Sequence, residues 1–183
     1  MGKQINYWME YESFLYVAKT AIEQGCTIFR EHDGKVVQSK DLSIVTSDWY
    51  NYYFHLPTAG KVAIETLADG REVLDRFFST SGNAIIEAGF SRFFEDKRIT
   101  GSRLYAAGGY YNDIGEWIPR PDSLTKLYNS LARKVKKVAP YTELTDIRRY
   151  TTGAHYGEEF EWRHKEYITP YCLSLRDNGY SLK

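Results

Sequence analysis

Residues 98–140 read RITGSRLYAAGGYYNDIGEWIPRPDSLTKLYNSLARKVKKVAP, and they carry the clearest structural signals in the chain. The pattern predicts a strand over residues 98–111, a tight Asn-Asp-Ile-Gly turn over 112–115 and a return strand over 116–118. From residue 122 to 138, apolar residues recur at intervals of three and four, which predicts an amphipathic helix. We therefore expect the fold to be organised around this hairpin and helix.

The helix predicted over residues 122–138 is strongly basic. Its positively charged residues are Lys126, Arg133, Lys134, Lys136 and Lys137. Basic side chains in the last turns are favoured by the negative C-terminal end of a helix, so a solvated helix face explains them. Such a cluster can also hold the phosphates of a nucleotide or of a nucleic-acid backbone. Arg133, Lys134 and Lys137 are therefore candidate ligand- or partner-binding residues.

Aromatic residues are abundant, with 16 tyrosines, nine phenylalanines and four tryptophans in the chain. Several of them lie with arginines on or beside the predicted hairpin, at Arg98, Arg103, Tyr105, Tyr110, Tyr111, Trp117 and Arg120. Arg103 and Tyr105 are two residues apart, so they are expected on the same face of a strand. Such a set can anchor a protein partner, stack bases and grip phosphates, or simply pack in the core. All except Arg98 are candidate binding residues.

The other segments add strands and one more long helix. A helix is predicted over residues 7–24, and a central strand covered on both faces over 48–56, where five of nine residues are aromatic. Further predicted strands are 26–30 with a return at Val36-Val37, a hairpin of 61–67 and 72–78 around Asp69-Gly70, and 84–94. A helix over 71–78 is an alternative to the second arm of that hairpin. Residues 41–47 and 141–166 show no clear period, and Thr169-Pro170 predicts the start of a short C-terminal helix.

Together these elements predict one α+β domain over residues 1–183. We expect an antiparallel sheet of about five or six strands, with the N-terminal helix and the basic helix on one side. The chain has 24 basic and 24 acidic residues, so a globally basic nucleic-acid binder is not indicated. It has no apolar run near the roughly 20 residues that span a bilayer and no apolar signal core at its N-terminus. A cytoplasmic protein without a membrane partner is the expectation.

The sequence contains few residues or motifs that indicate catalysis, metal binding or cofactor binding. Cys26 and Cys172 are expected to be reduced, buried thiols rather than a disulfide or a redox pair. No phosphate-binding or nucleophile motif is present, and Glu87 and Glu95 are more readily explained as solvated strand residues than as paired catalytic carboxylates. Residues 155–164 are rich in metal-ligand types, which a charged, solvated segment explains equally well. We predict no cofactor and no metal and assign no catalytic residue, although an enzyme whose site joins distant residues stays open.

Three functions remain after these exclusions. The first is a small protein-interaction module, of the kind that neutralises another protein in a bacterial or phage setting, with a protein partner or a second copy of itself. The second is a nucleotide or nucleic-acid binder that uses the hairpin aromatics and the basic helix. The third is an enzyme of a type without a recognisable motif. The interaction module is the preferred hypothesis, because Tyr, Trp and Arg dominate binding hot spots.

Overall fold

The computed structural model describes residues 2–46, 51–75, 79–89, 92–94 and 99–138. The helix predicted at Thr169-Pro170 lies outside these ranges. The described elements are β1 (Lys3–Glu10), α1 (Tyr11–Glu23), β2 (Thr27–His32), β3 (Lys35–Ser39), β4 (Asn51–His55), β5 (Ile64–Thr66), β6 (Glu72–Leu74), β7 (Ile85–Ala88), β8 (Arg92–Phe94), β9 (Ile99–Ala106), β10 (Gly109–Tyr111), β11 (Trp117–Pro119) and α2 (Asp122–Val138).

The main sheet is antiparallel, which confirms the predicted α+β fold. Six strands lie in the order β1-β9-β7-β4-β2-β3, and β8 also pairs with β9. Two small sheets, β5–β6 and β10–β11, complete the described strands. The β5–β6 pair confirms the hairpin around Asp69-Gly70 in place of a helix over 71–78.

The central position of β4 follows from its aromatic run. Tyr52 and Phe54 point to one face and Tyr53 to the other, and none of the three has any exposed surface. A strand with bulky apolar residues on both faces must be covered on both sides, because either face left in water would forfeit burial of the aromatic rings. β4 therefore lies inside the sheet, between β7 and β2.

Both long helices cover one face of the sheet, as predicted. Their buried residues form a single core with that face, which includes Phe14, Val17, Ala18, Ile28, Phe54, Leu104, Leu124, Leu131 and Val135. A smaller core lies on the opposite face, where Phe29, Tyr53 and Ile85 pack against Leu74 of β6 and Val62. The helix over residues 122–138 occurs with the predicted bounds, because its apolar stripe is a local signal.

The N-terminal helix is shorter than predicted. Residues 7–10, expected in a helix over 7–24, belong instead to β1, and α1 begins at Tyr11. β1 pairs with β9 along its full length, from Lys3 opposite Ala106 to Glu10 opposite Ile99. Tyr7 is 2% exposed, and its hydroxyl donates to the Gly89 carbonyl at 3.0 Å. Tertiary pairing thus overrides the helical pattern at these residues.

Two predicted strands are broken in the structure. The strand expected over residues 98–111 divides into β9 and β10, because the chain leaves the main sheet at Ala107-Gly108. The strand expected over residues 84–94 divides into β7 and β8. The return strand, expected over residues 116–118, instead spans Trp117–Pro119, with Pro119 paired opposite Gly109. The tyrosines of β10 are consequently displaced from the sheet face that carries Arg103 and Tyr105.

Cys26 provides a test of core packing. Its thiol is free and buried, and burial raises its pKa to about 12. Because only the thiolate reacts with alkylating agents, we expect Cys26 to resist iodoacetamide at neutral pH in a Cys172→Ser variant. Mass spectrometry should show labelling only after denaturant is added. Labelling of the native protein at the denatured rate would contradict this packing.

Candidate interaction surface

The most exposed large hydrophobic residues of the described chain lie at one hairpin. β10 and β11 pair in a register that puts Tyr111 opposite Trp117 and Tyr110 opposite Ile118. The rings of Tyr111 and Trp117 meet edge to face, with centroids 5.0 Å apart and planes at 63°. Tyr111 is 64% exposed, Trp117 46% and Ile114, in the turn between them, 78%. These three residues are called the hairpin tip below.

Hydrogen bonds within the turn hold Ile114 at the end of the hairpin. The side-chain carbonyl of Asn112 accepts from the Ile114 amide at 3.2 Å and from the Glu116 amide at 2.8 Å. The Asn112 amide group donates to the Glu116 carboxylate at 3.1 Å. Gly115 has a φ of +79°, a conformation that costs glycine no steric penalty. The turn is therefore ordered by its own residues.

The base of the hairpin is fixed to the rest of the protein. Asn83 is 5% exposed, and its side-chain amide donates to the carbonyls of Ile118 at 3.3 Å and Pro119 at 3.1 Å. Gly109 has a φ of +153°, and the Trp117 ring lies over it so closely that a Cβ there would be 2.7 Å from Trp117 Cζ2. A Cβ there would also collide with the Ile118 carbonyl, so only glycine lets the backbone and the Trp117 ring come this close.

Arg120 joins the hairpin to the main sheet and to α2. Its Nη1 donates to the carbonyls of Ala106 at 3.2 Å and Ala107 at 2.7 Å, where β9 ends. Its Nε donates to the Thr125 hydroxyl at 2.8 Å in the first turn of α2. Its backbone amide donates to the Gly108 carbonyl at 2.9 Å. Arg120 is one of the predicted binding residues, but its Nε and Nη1 atoms both bond to the protein itself.

The guanidinium of Arg120 is partly shielded from water. Burial lowers its pKa from the usual value, and the nearby Tyr128 and Tyr105 act in the opposite direction. An arginine remains charged at neutral pH despite such burial. Its hydrogen bonds to the carbonyls are therefore charge-assisted, which makes them stronger than bonds between neutral groups.

Arg103 and Tyr105 share one face, as the sequence predicts, but this face is not that of the hairpin tip. They lie on β9 opposite to the helices, and the Arg103 guanidinium carbon is 5.6 Å from the Tyr105 ring centroid. Arg103 Nε donates to Glu87 Oε1 of the neighbouring β7 at 2.8 Å. The Glu87 side chain is only 13% exposed. Its carboxylate neutralises the arginine, so a phosphate at Arg103 would compete with this ion pair.

Neither Tyr110 nor Lys134 belongs to the hairpin tip. Tyr110 is half-buried and, by the alternation of a strand, faces away from Tyr111. Lys134 Nζ donates to the Tyr16 hydroxyl at 2.7 Å and lies 4.5 Å from the centroid of that ring. The hydrogen bond and the charge of Lys134 lower the pKa of Tyr16. Lys134 therefore links α2 to α1.

Arg133 and Lys137 are exposed on α2, on the side away from the core that α2 forms with the sheet.

The nine predicted binding residues therefore divide among three places, the hairpin, the β9 face and α2, rather than forming one surface. Ile114 was not among the predicted residues, although an isoleucine inside a turn is an available signal. The part played by Asn83 depends on contacts more than thirty residues away and leaves no trace in the local sequence.

Outside the hairpin, the described chain has a surface groove and a capped turn with polar side chains. A surface groove of about 770 Å³ lies beside α1 and is lined by Lys19, Ile22, Glu23, Ser39, Lys40, Asp41 and Leu42. Asp41 accepts from the Ser43 amide at 2.8 Å, which lowers the pKa of its carboxyl and gives it a capping role. Within the described ranges, no three His, Cys, Asp or Glu residues are grouped to hold a metal ion. Glu95 and residues 155–164 lie outside those ranges.

None of the helices in the described ranges is long and apolar enough to cross a bilayer. Comparisons of the chain with models of known protein families, with curated proteins and with solved structures found no match in any of the three.

Substitution of Arg120 tests the contacts that join the hairpin to β9 and α2. Replacing it in an Arg120→Met variant leaves the carbonyls of Ala106 and Ala107 without their charged donor, and we expect a loss of at least about 2 kcal/mol in the free energy of unfolding. Urea denaturation followed by circular dichroism measures this loss. Arg133→Met is the matched control, since Arg133 is exposed, and it should change the stability by less than about 0.5 kcal/mol. Equal effects of the two substitutions would show that the hydrogen bonds of Arg120 do not stabilise the fold.

Proposed function

We propose that this chain is a protein-interaction module whose hairpin tip inserts into an apolar cleft on a partner protein. The observation that supports the proposal is the exposure of Tyr111, Ile114 and Trp117 together, on a hairpin outside the main sheet. Tyrosine and tryptophan bury large areas at low entropic cost, and they are enriched among residues that dominate binding energy.

Preorganisation also supports this proposal. The turn is held by Asn112, the base by Asn83, and the Trp117 ring by its contact with Gly109. A partner that binds the tip does not have to order the loop, so less of the binding free energy is lost in fixing it. A mobile loop with the same composition would lose part of its affinity in this way.

The charges beside the tip specify the chemistry of the partner. Asp113 and Glu116 are both exposed and lie in the same hairpin, and no basic residue lies between Tyr111 and Trp117. The cleft that receives the tip should therefore be apolar in its centre and carry lysine or arginine at its rim, because complementary charge directs encounter.

We propose that the protein works in the reducing cytoplasm, in keeping with the free thiol of Cys26.

The experiment begins with a photo-crosslinking amino acid at position 114 in the native host, followed by mass spectrometry of the crosslinked protein. The partner is then purified and its dissociation constant measured by calorimetry. We expect Tyr111→Ala and Ile114→Ala each to raise the dissociation constant at least tenfold, or by about 1.4 kcal/mol in binding free energy. The reason is that each substitution removes a central anchor. The control is Ile64→Ala, which removes an apolar side chain exposed to 41% on β5.

Several outcomes distinguish this proposal from its rivals. Equal binding by all three variants would show that the hairpin tip is not the binding element. A crosslink to a second copy of the chain, with sedimentation as a dimer, would identify the partner as the protein itself. Binding that disappears with moderate salt would contradict the proposal, because aromatic anchors depend little on ionic strength.

A further inference from the structure

The solvent face of α2 carries a positive stripe that has no part in the hairpin tip. Lys126, Arg133 and Lys137 are all exposed and lie within about 40° of one another around the helix axis, at 100° per residue. Spacings of seven and four residues place their Cα atoms about 10 and 6 Å apart along the axis. Lys136 is also exposed, beside this row. Lys126, Arg133 and Lys137 are called the basic stripe below.

The charge of the basic stripe is not neutralised within the described part of the chain. α2 contains five basic residues and one acidic residue, Asp122, at its first position. Within the described ranges, none of the three stripe residues forms an ion pair with a carboxylate. Lys134 differs, because it donates a hydrogen bond to Tyr16, whereas Lys137 only lies near enough to that tyrosine to help lower its pKa. Glu23 of α1 acts on the pKa of Tyr16 in the opposite direction, raising it.

The surroundings of the stripe indicate what it binds. The apolar side of α2 is already used, since Leu124, Leu131 and Val135 have no exposed surface. The exposed side chains described on α2 are all charged or serine, which leaves neither an apolar anchor for a membrane nor an aromatic hot spot for a protein. No aromatic side chain of α2 itself is exposed, and the exposed ring beside it, Tyr16 of α1, is already bound by Lys134, so a platform of several rings on which single strands stack is not formed here. Basic side chains alone are what a duplex phosphate backbone requires.

We propose that the basic stripe of α2 binds the phosphate backbone of double-stranded nucleic acid without preference for sequence. The Cα spacings are compatible with side chains that reach successive phosphates, and each lysine or arginine that neutralises a phosphate releases a condensed counterion. Because the chain as a whole has no net charge, binding should be weak and confined to low salt. The site is independent of the hairpin tip.

Fluorescence anisotropy with a labelled random-sequence DNA duplex tests this site on the intact chain. The logarithm of the association constant should fall with the logarithm of salt concentration with a slope of about −3, as expected for three phosphate contacts. The triple variant Lys126→Gln, Arg133→Gln, Lys137→Gln should lose at least tenfold in affinity at low salt. Its slope should approach zero.

The matched control removes the same charge elsewhere. Lys35, Lys40 and Lys61 are exposed and lie outside α2, so Lys35→Gln, Lys40→Gln, Lys61→Gln should retain nearly all the affinity. Thermal unfolding of both variants verifies that they fold, and the salt slope of the unaltered protein tests the proposal without any substitution. Tyr111→Ala should leave duplex binding unchanged, which separates this site from the proposed function.

Three results would overturn the proposal. The first is failure of the unaltered protein to bind the duplex at low salt. The second is an equal loss in the two triple variants, which would make the effect one of net charge. The third is binding to vesicles rich in anionic lipid in the absence of duplex binding, which would assign the stripe to a membrane surface.

Discussion

The hydrogen bonds of Arg120 are the interaction on which the arrangement of the described chain depends. The end of β9, the start of α2 and the hairpin β10–β11 meet at this one side chain. The chain leaves the main sheet after Ala106, at Ala107-Gly108, and the carbonyls of Ala106 and Ala107 accept from Arg120 at this point. A buried carbonyl without a donor is costly, so the break in the strand is tolerable only because a charged donor reaches it. The hairpin can then project from the sheet while its base stays rigid.

The division of the aromatic residues follows from that break. Arg103 and Tyr105 remain in the main sheet, where Glu87 neutralises the arginine. Tyr111 and Trp117 leave it and become the exposed pair of the hairpin. Charge and aromatic surface are thus separated in space although they are adjacent in sequence. An apolar tip and a basic helix face are better suited to two different ligands than to one.

Local signals in the sequence were sufficient for α2, for the turn at residues 112–115 and for the central strand. Their patterns repeat within a few residues, so a short window contains the whole signal. β1 was missed because its structure is determined by pairing with β9, which no window of the sequence contains. The same limit applies to the site. Tyr111 and Trp117 were predicted from composition, whereas Glu87 as the partner of Arg103 and Asn83 as the support of the hairpin depend on the register of distant segments.

The position of β1 has a consequence for how the protein is made. Residue 3 pairs with residue 106, and β9 then pairs with β7, so β1 cannot pair until β9, which follows it by most of the described chain, has been synthesised. Until β9 emerges, β1 and the adjoining edge of β7 have no partner for their backbone groups. Contacts so distant in sequence slow folding and leave strand edges open in the meantime. We therefore expect a nascent chain that stops before β9 to require a chaperone, and the sheet to close in one late, cooperative step.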